Sequence, residues 1–307
     1  MERLDQYLIR VEELPSREFS REEVLKGQVL VNGKKVLKPG YKVKTKDQVD
    51  YLGQGRQYVS RGAEKLLGAI KSFAPIIKNQ RCIDVGASTG GFTQVLLEAG
   101  AAFVAALDVG HGQLHQEIKT HPRVKSFEGI NFRSLDEQLV QDLGAFDLLT
   151  MDVSFISVLL LKDSIKTVLK PEGAAIILIK PQFEAGRGAL NKAGVVTDPG
   201  RHRNVLTKVL SDFLEAGFRL GGLTPSSIQG PDGNIEYLAY LKNSPSDLGE
   251  EIDPNEQALN TQPQILEGDI GYPNPIKSLE LLTEEIKANI IGVVETAFES
   301  FELPHHR

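Results

Sequence analysis

The sequence predicts an α/β fold with a mostly parallel sheet, preceded by a small unit that mixes helices and strands. Three observations lead to this prediction. Apolar runs of strand length alternate with helical segments through residues 63–243, and continuous apolar runs are typical of strands buried on both faces of a sheet. The last two runs flank a Gly-Pro-Asp-Gly turn at residues 230–233, which favours an antiparallel pair at the sheet edge. Residues 1–52 contain helices and a hairpin of their own.

We predict that residues 1–55 form the first domain and residues 56–62 a hinge that contains glycine. The strongest signals in this domain are a Ser-Arg-Glu-Glu capping box at Ser20 and an Asn-Gly pair at residues 32–33, which is typical of a two-residue hairpin. The predicted elements are, in chain order, a helix over 3–11, a helix from Ser20 to Gly27, strands at 29–31 and 36–37, and a strand at 48–52.

The second domain is expected over residues 63–243 and is organised around residues 81–92. There a strand over 82–85 enters a glycine-rich turn, which opens a helix at Gly91. Glycines let a ligand approach the backbone closely, and the start of a helix offers free N–H groups. The next strand ends in Asp108, where an acid accepts ribose hydroxyls in many α/β sheets. This order favours a site for an adenosine-type cofactor, and the alternative is a tight turn with aspartates that cap the strands.

Two ionisable residues directly follow later apolar runs: Asp152 follows the run at 146–151, and Lys180 follows the run at 174–179. Ligands of open α/β sheets bind outside the carboxyl ends of the strands, so we expect both residues to face the same crevice as the glycine turn. The alternative is a structural Lys–Asp ion pair. The other predicted elements are strands at 123–127, 219–228 and 235–241, and helices at 64–77, 158–169 and 203–216.

The composition excludes several classes of protein. The net charge is −6, but residues 244–307 hold three Lys and Arg against thirteen Asp and Glu, which leaves the rest of the chain mildly basic. The longest apolar run, residues 101–107, is too short to cross a membrane, and no secretory signal opens the chain. The only cysteine, Cys82, lies in a predicted core strand, and the six histidines lack the spacing of metal ligands. We therefore expect a cytoplasmic protein without a metal or a nucleophilic cysteine.

The basic residues of the first domain belong to a recognisable pattern. Arg3-Leu-Asp, Ser16-Arg17, residues 26–33 and Lys38-Pro-Gly resemble the α-L RNA-binding domain. The resemblance implies that structured RNA is bound through its backbone and shape. The alternative is an ordinary solvated surface, because nine acidic residues accompany the cations of residues 1–52. The residues expected to meet RNA phosphates are Arg3, Arg17, Arg21, Lys34 and Lys35.

Residues 58–242 resemble the FtsJ-like ribose 2′-O-methyltransferases, and their fusion to an α-L domain resembles the TlyA family, known as haemolysins and as ribosomal RNA methyltransferases. The motifs that carry this resemblance are Tyr58-Val-Ser-Arg-Gly-Ala-Glu-Lys65, Asp84-Val-Gly-Ala-Ser-Thr-Gly-Gly-Phe92, Asp108-Val-Gly-His-Gly-Gln-Leu114, Asp152-Val-Ser-Phe-Ile-Ser157, Leu178-Ile-Lys-Pro-Gln-Phe-Glu184 and Gly233-Asn-Ile-Glu-Tyr237. The resemblance implies a Rossmann-like class I methyltransferase sheet with S-adenosylmethionine as cofactor. It places a catalytic tetrad on Lys65, Asp152, Lys180 and Glu236, and the cofactor on Gly86, Ser88, Thr89, Gly90, Asp108 and Asn131.

The implied reaction is methylation of a ribose 2′-hydroxyl, by resemblance on cytidine, in ribosomal RNA or ribosomal subunits. This hydroxyl is very weakly acidic, so its oxygen needs a base or strong electrostatic help. Lys180 is expected to supply it, with Asp152 and Glu236 tuning the amine and Lys65 holding the ribose. Residues 152–155 lack the Asn/Asp-Pro-Pro-aromatic motif of amino-group methyltransferases, which disfavours that class. The alternatives are an RNA-binding assembly factor that lost catalysis and a membrane-active haemolysin, which the lack of a long apolar span disfavours.

The last 64 residues, 244–307, are predicted to form an acidic appendage: a polar linker over 244–274, followed by an amphipathic helix. An apolar stripe of this kind usually packs on its own protein. The alternative is a contact with a second copy of the chain or with another partner. The stripe consists of Leu279, Leu282, Ile286, Ile290, Val293, Ala297 and Phe301.

Overall fold

The computed structural model describes residues 2–11, 14, 17–53, 58–243 and 279–301. The chain divides into two compact units, Met1–Arg61 and Gly62–Arg307. Each unit has a hydrophobic core of its own. The hinge predicted at 56–62 lies partly outside the described residues, and the linker predicted at 244–274 lies wholly outside them.

The first unit combines two helices with two small antiparallel sheets. Their facing sides bury a compact core that includes Leu4, Leu8, Phe19, Val24, Val29 and Val31. The predicted hairpin is confirmed, since Asn32 and Gly33 have φ of 52° and 74°, the left-handed values that a type I′ turn requires. The elements are β1 (Glu2–Arg3), α1 (Leu4–Val11), α2 (Arg17–Leu25), β2 (Val29–Val31), β3 (Lys34–Lys35), β4 (Lys42–Val43) and β5 (Val49–Tyr51), with β1 paired to β4 and the other sheet ordered β3-β2-β5.

The start predicted for the second helix is wrong. Ser20 lies inside α2 and is buried, so it does not cap the helix. The reason is tertiary: Phe19 belongs to the core of this unit, and its burial carries the helix one turn further towards the N-terminus. The second strand of the hairpin likewise lies at Lys34–Lys35 instead of residues 36–37.

The second unit is built on a seven-stranded sheet of order β11-β12-β10-β9-β6-β7-β8. Strands β10, β9, β6, β7 and β8 are parallel, and β12 runs antiparallel to both β10 and β11. This confirms the predicted fold class of a mostly parallel sheet with an antiparallel edge. The strands are β6 (Arg81–Val85), β7 (Phe103–Asp108), β8 (Val124–Glu128), β9 (Phe146–Met151), β10 (Leu169–Ile179), β11 (Phe218–Pro225) and β12 (Tyr237–Asn243).

Helices connect these strands and leave the carboxyl edge of the sheet to loops. The chain order reverses at β6, whose neighbours are β7 and β9, so the loops after β6 and β9 diverge and open a crevice. A 3₁₀ turn over Val158–Leu161 precedes α7 where one long helix was predicted. The helices are α3 (Gly62–Phe73), α4 (Gly91–Glu98), α5 (Gln116–Lys119), α6 (Glu137–Leu143), α7 (Lys162–Val168), α8 (Pro181–Glu184), α9 (Pro199–Glu215) and α10 (Leu279–Ser300).

The predicted C-terminal helix is α10, and it packs against α9 and β11 of the same unit. Its apolar stripe joins the main core through Ile286, Ile290, Val293 and Ala297, and Phe301 packs at the edge of that core. The side chains of Leu279 and Leu282 lie outside the described part of the chain. The stripe is therefore used in the ordinary way, for packing on its own protein.

Candidate active site

The glycine-rich turn after β6 is built from left-handed residues. Gly86, Ser88 and Gly90 have φ of 79°, 48° and 99°. The N–H groups of Gly86 and Ala87 both donate to the carbonyl of Leu107, at 2.8 and 3.2 Å, which binds the turn to the end of β7. A left-handed conformation is rare for a residue with a side chain, so the path of the turn depends on its glycines.

Asp108, at the end of β7, lies directly beside this turn. Its carboxylate accepts from the N–H of Ser88 at 2.7 Å and from the N–H of Gly110 at 2.7 Å. A small pocket opens here, lined by Ser88, Asp108, Gly110, Gln113, Ser126 and Glu128 among others. The structure thus brings together two of the predicted cofactor residues, Ser88 and Asp108, in one pocket.

The other predicted cofactor residues, Gly86, Thr89, Gly90 and Asn131, do not line this pocket. Asn131 follows Ile130, whose N–H donates to the carbonyl of Asp108 at 3.0 Å, and its side chain accepts from the N–H of Arg133. Gly90 packs against the segment after β7, because a Cβ there would lie 2.9 Å from Leu114 Cδ1. These residues shape the surroundings of the pocket.

Gly86 joins the turn to the neighbouring strand end. A Cβ at this residue would lie 2.6 Å from the carbonyl oxygen of Asp152, a distance that real Cβ atoms do not adopt. The N–H of Asp152 also donates to the carbonyl of Val85 at 3.0 Å. The sequence pattern assigned Gly86 to the cofactor. In the structure, the position that a side chain of residue 86 would occupy is filled by the backbone of Asp152.

The four residues of the predicted tetrad meet at the carboxyl edge of the sheet. Lys180 Nζ lies 2.7 Å from Asp152 Oδ1, and Lys65 Nζ lies 3.8 Å from Asp152 Oδ2 and 2.6 Å from Glu236 Oε2. Lys65, Lys180 and Glu236 are 5%, 7% and 0% exposed. Two ammonium groups therefore face two carboxylates in a continuous chain of contacts, a balance that permits their burial. The Asp152 side chain is the one that opens to solvent, at 22% exposure.

Further contacts around the tetrad were not predicted from the sequence. Lys180 Nζ donates to Ser154 Oγ at 2.8 Å, and Gln182 Nε2 donates to Glu236 Oε1 at 3.1 Å. Glu236 also packs against Gly230, where any side chain would overlap its carboxylate. Ser154 and Gln182 lie two residues after Asp152 and Lys180, respectively. This spacing was the available signal in the sequence that they lie near the tetrad.

An aromatic pair, of which Phe155 is exposed and Phe183 half-buried, lies next to these contacts. Phe155 is 90% exposed and has a left-handed φ of 65°. Its ring centroid is 5.1 Å from that of Phe183, and Lys180 Nζ lies 5.9 Å from the Phe183 ring. A large apolar ring in water is a candidate contact surface for a planar ligand group.

Two buried residues of β6, Cys82 and Asp84, are not part of the tetrad and belong to the core. Burial raises the pKa of the Cys82 thiol to about 12, so a thiolate does not form at neutral pH and the prediction of a core cysteine is confirmed. Burial also raises the pKa of the Asp84 carboxyl to about 7, although the Thr93 and Thr150 hydroxyls donate to it at 2.7 and 3.1 Å. Asp84 is therefore a hydrogen-bonded core group, which connects β6 to Thr93 in the helix after the turn and to Thr150 in β9.

The five residues predicted to meet RNA differ in their surroundings. Arg3 forms two hydrogen bonds to Asp5, at 2.9 and 2.8 Å, and Arg17 reaches the same buried carboxylate at 3.4 Å. These contacts, with that of Arg3 the strongest, hold the pKa of Asp5 below its usual range. The side chains of Arg21, Lys34 and Lys35 are exposed. Arg3 and Arg17 thus each have an acidic partner, although the side chain of Arg17 is also exposed, at 60%.

Two kinds of feature are absent from the residues that the structure describes. Among them, no group of three or more His, Cys, Asp or Glu side chains is arranged to hold a metal ion. No helix in the described ranges has both the length and the apolar character needed to cross a membrane.

Comparison with known proteins assigns a family to each unit. The FtsJ-like methyltransferase family matches residues 58–243, and the S4 domain matches residues 2–49. Hemolysin A of Brachyspira hyodysenteriae is 39% identical over 239 residues, which cover 78% of this chain and 99% of that protein. The 16S/23S rRNA (cytidine-2′-O)-methyltransferase TlyA of Mycobacterium tuberculosis is 37% identical over 241 residues, 78% of this chain and 89% of that protein.

A solved structure agrees with this assignment. A protein assigned as a hemolysin from Streptococcus thermophilus superposes with a TM-score of 0.69 at 33% sequence identity, over 98% of this chain and 97% of that one. The matches span both units and include the segments that hold the tetrad and the glycine turn. The chain is a member of the TlyA family, in which an S4 RNA-binding domain precedes an FtsJ-like methyltransferase domain.

Proposed function

We propose that this chain transfers the methyl group of S-adenosylmethionine to a ribose 2′-hydroxyl of ribosomal RNA, at cytidine as in the name of the relative from Mycobacterium tuberculosis. The observation that carries the proposal is the position of Lys180. Its amine lies 2.7 Å from Asp152 and 2.8 Å from Ser154 at the carboxyl edge of the sheet, where ligands of such sheets bind.

The residues beside the glycine turn fit an adenosine-type methyl donor. Asp108 directs a carboxylate into the pocket after β7, at the place where a ribose is held in related sheets. We assign Ser88 and Asp108 to direct contact with the donor, and Gly86, Thr89, Gly90 and Asn131 to the shape of its site. When bound, S-adenosylmethionine supplies an electrophilic methyl group on a positively charged sulfur.

The tetrad residues divide the work on the acceptor. Lys180 contacts the ribose 2′-oxygen: as a neutral amine it takes the proton of the hydroxyl, and as an ammonium it stabilises the charge that develops on the oxygen. Asp152 and Ser154 fix the direction of the Lys180 amine. Lys65, held by the fully buried Glu236, supports the other oxygen of Asp152 and binds the ribose. Much of the acceleration comes from the fixed placement of the acceptor oxygen.

The aromatic pair and the first unit supply RNA binding. Phe155, exposed next to Ser154, offers a flat apolar surface against which the base of the target nucleotide stacks. The exposed cations Arg21, Lys34 and Lys35 contact phosphates, whereas Arg3 and Arg17 shape that surface through Asp5. We assign residues 1–55 to RNA recognition and residues 63–243 to chemistry.

The test is transfer of labelled methyl from S-adenosylmethionine to isolated small and large ribosomal subunits. We expect K180A to lower the rate by at least about 10²-fold, the scale of a lost acid–base group. The matched control is K170A, because Lys170 forms a 2.6 Å pair with Asp147 at the opposite end of the same two strands. This variant should keep its activity within a factor of about two, because the partly buried pair lies at the far end of the two strands from the tetrad.

Digestion of the labelled RNA with alkali identifies the methylated atom. A 2′-O-methyl group blocks cleavage of the adjoining phosphodiester, so the label should remain in an alkali-resistant dinucleotide. Label in RNA that alkali cleaves completely would place the methyl group on a base and overturn the proposed acceptor. A wild-type protein that binds the cofactor and RNA without transfer would point to an RNA-binding assembly factor.

A further inference from the structure

Two loops that carry the reacting groups are connected by several contacts. The loop after β9, residues 152–157, carries Asp152, Ser154 and Phe155, and the segment after β10, residues 180–184, carries Lys180 and Phe183. Lys180 contacts Asp152 and Ser154, and the Phe155 and Phe183 rings touch. The remaining contact involves Glu184, the last residue of α8, which the tetrad does not use.

Glu184 holds the far end of the loop after β9. Its Oε2 accepts from Ser157 Oγ at 2.6 Å, and its Oε1 accepts from the N–H of Val158 at 2.8 Å. Both bonds join residues 26 or 27 positions apart in the chain. The carboxyl is half-buried, and hydrogen bonds to an ionised acceptor are stronger than those between neutral groups. Glu184 thus caps the 3₁₀ turn over Val158–Leu161 from another element.

The loop needs such support because Phe155 gains little from burial. Its left-handed backbone is unfavourable for an aromatic residue, and its ring is 90% exposed. A strained residue keeps its conformation when the residues on both sides are fixed. Asp152 fixes the near side through the N–H bond to Val85 and the pair with Lys180. On the far side, Ser157 and Val158 are fixed by Glu184.

We propose that Glu184 is a positioning residue for methyl transfer: it holds the loop after β9 so that Asp152 and Ser154 direct Lys180 and Phe155 faces the target nucleotide. This proposal rests on the proposed function, because Glu184 can position groups for methyl transfer only if the tetrad carries out that reaction. Glu184 itself lies away from the reacting atoms and acts through Ser157 and Val158.

The first experiment compares E184A, E184Q and S157A in the full-length protein, with labelled S-adenosylmethionine and ribosomal subunits. We expect E184A to lower kcat about tenfold or more, since small misplacements of reacting groups are costly. Its affinity for S-adenosylmethionine should stay unchanged, because the donor pocket is formed after β6 and β7. S157A should also lower kcat, since it removes one of the two bonds to Glu184 together with the bond that Ser157 Oγ accepts from the N–H of Leu159 at 3.3 Å.

E184Q separates positioning from charge. The glutamine oxygen still accepts from the N–H of Val158, and its amide group can donate to Ser157 Oγ, so E184Q should recover kcat to within a factor of about three. The control for loss of a capping carboxylate is D136A, because Asp136 accepts from the N–H of Leu139 at 2.7 Å at the start of α6. D136A should leave kcat unchanged.

A second measurement is independent of activity. Hydrogen exchange of the peptide that covers residues 153–158 should be faster in E184A than in the wild type, the E184Q variant or the D136A variant. Equal exchange in E184A and the wild type, or equal loss of kcat in E184A and D136A, would overturn the proposal. So would an E184Q variant as inactive as E184A, because the carboxylate would then act through its charge.

The two proposals fail in different ways. If the wild type transfers no methyl group, the proposed function fails, and the exchange measurement still decides whether Glu184 holds the loop. If the wild type transfers methyl and E184A does so equally well, the proposed function stands and Glu184 has no part in it.

Discussion

At the scale of single residues, Asp84 makes the stability of this fold depend on pH. Its carboxyl is fully buried in β6 and is held by two threonine hydroxyls. Burial raises its pKa from 3.8 to about 7, so the folded protein binds a proton in a pH range where the unfolded chain has released it. This group stabilises the fold fully at low pH, and the contribution is lost as the pH rises through 7.

The variant D84N tests this residue, because asparagine keeps the shape of the side chain and cannot ionise. We expect D84N to raise the free energy of unfolding by about 1–2 kcal/mol at pH 8, less than the full shift would give because one threonine hydroxyl must turn to accept from the amide. Near pH 5 the gain should fall towards zero. Urea unfolding of both proteins at the two pH values measures the difference, and an equal effect at both would contradict it.

Residues that could be predicted from the sequence are those that adjoin a recognisable strand or motif. Asp152 and Lys180 follow long apolar runs, and the motifs around Lys65 and Glu236 identified the other two members of the tetrad. Their geometry now supports their proposed roles. Gln182 and Glu184 lie in a recognised motif, but their contacts were not predicted, because hydrogen bonds across 54 and 27 residues leave no pattern that identifies the partner.

At the scale of elements, α10 shows how a peripheral helix is held. Its inner face joins the main core, and the Phe298 ring packs edge-on against the buried His202 of α9, with centroids 5.0 Å apart. His202 also contacts the Tyr237 hydroxyl in β12. Phe298 thus adds a ring contact with α9 beside the apolar stripe, and α10 packs on α9 and β11 of the same unit.

Two adjacent isoleucines of α10 provide a matched pair of variants. Ile290 is 1% exposed and Ile291 is 44% exposed. We expect I290A to lower the free energy of unfolding by about 2–4 kcal/mol, the cost of a cavity in a core. I291A should change it by less than about 0.5 kcal/mol. If I291A instead lowered the mass of the protein in solution, the outer face of α10 would be a contact between copies.

Element types were easier to predict than their ends. All seven strands of the second unit were predicted, most of them from apolar runs that the sheet buries; β8, at the sheet edge, has the sequence Val-Lys-Ser-Phe-Glu and no fully buried residue. The short α5 and α6 were not predicted, since one or two turns carry little periodicity. The start of α2 depends on the burial of Phe19, a tertiary effect that no capping pattern reports.

At the scale of the whole molecule, the chain forms two units with separate cores, and we propose that the first binds RNA and the second carries out the chemistry. In this proposal the exposed cations of the first unit would act at long range on a polyanion, whereas the tetrad of the second would act within a few ångströms. Affinity for RNA and turnover should therefore respond to different substitutions. The family pattern in the sequence indicated this division, because each unit has its own set of motifs.

The double variant K34A/K35A tests the division, since both side chains are exposed on the hairpin of the first unit. We expect a higher KM for ribosomal subunits, with kcat at saturating RNA and affinity for S-adenosylmethionine unchanged. The slope of log affinity against log salt should become shallower by about 1.5–2, because about two phosphate contacts are lost. A fall in kcat with an unchanged salt slope would place these lysines outside the RNA-binding surface.

The contact between Gly86 and the backbone of Asp152 has a consequence for protein engineering. Enzymes of this kind invite redesign for synthetic sulfonium donors that carry groups larger than methyl. Any substitution of Gly86 made to reshape the turn beside the pocket would displace Asp152, the partner of Lys180, because even a methyl side chain would lie 2.6 Å from the Asp152 carbonyl oxygen. Gln113 and Ser126, which line the pocket beyond β7, are the better positions to vary.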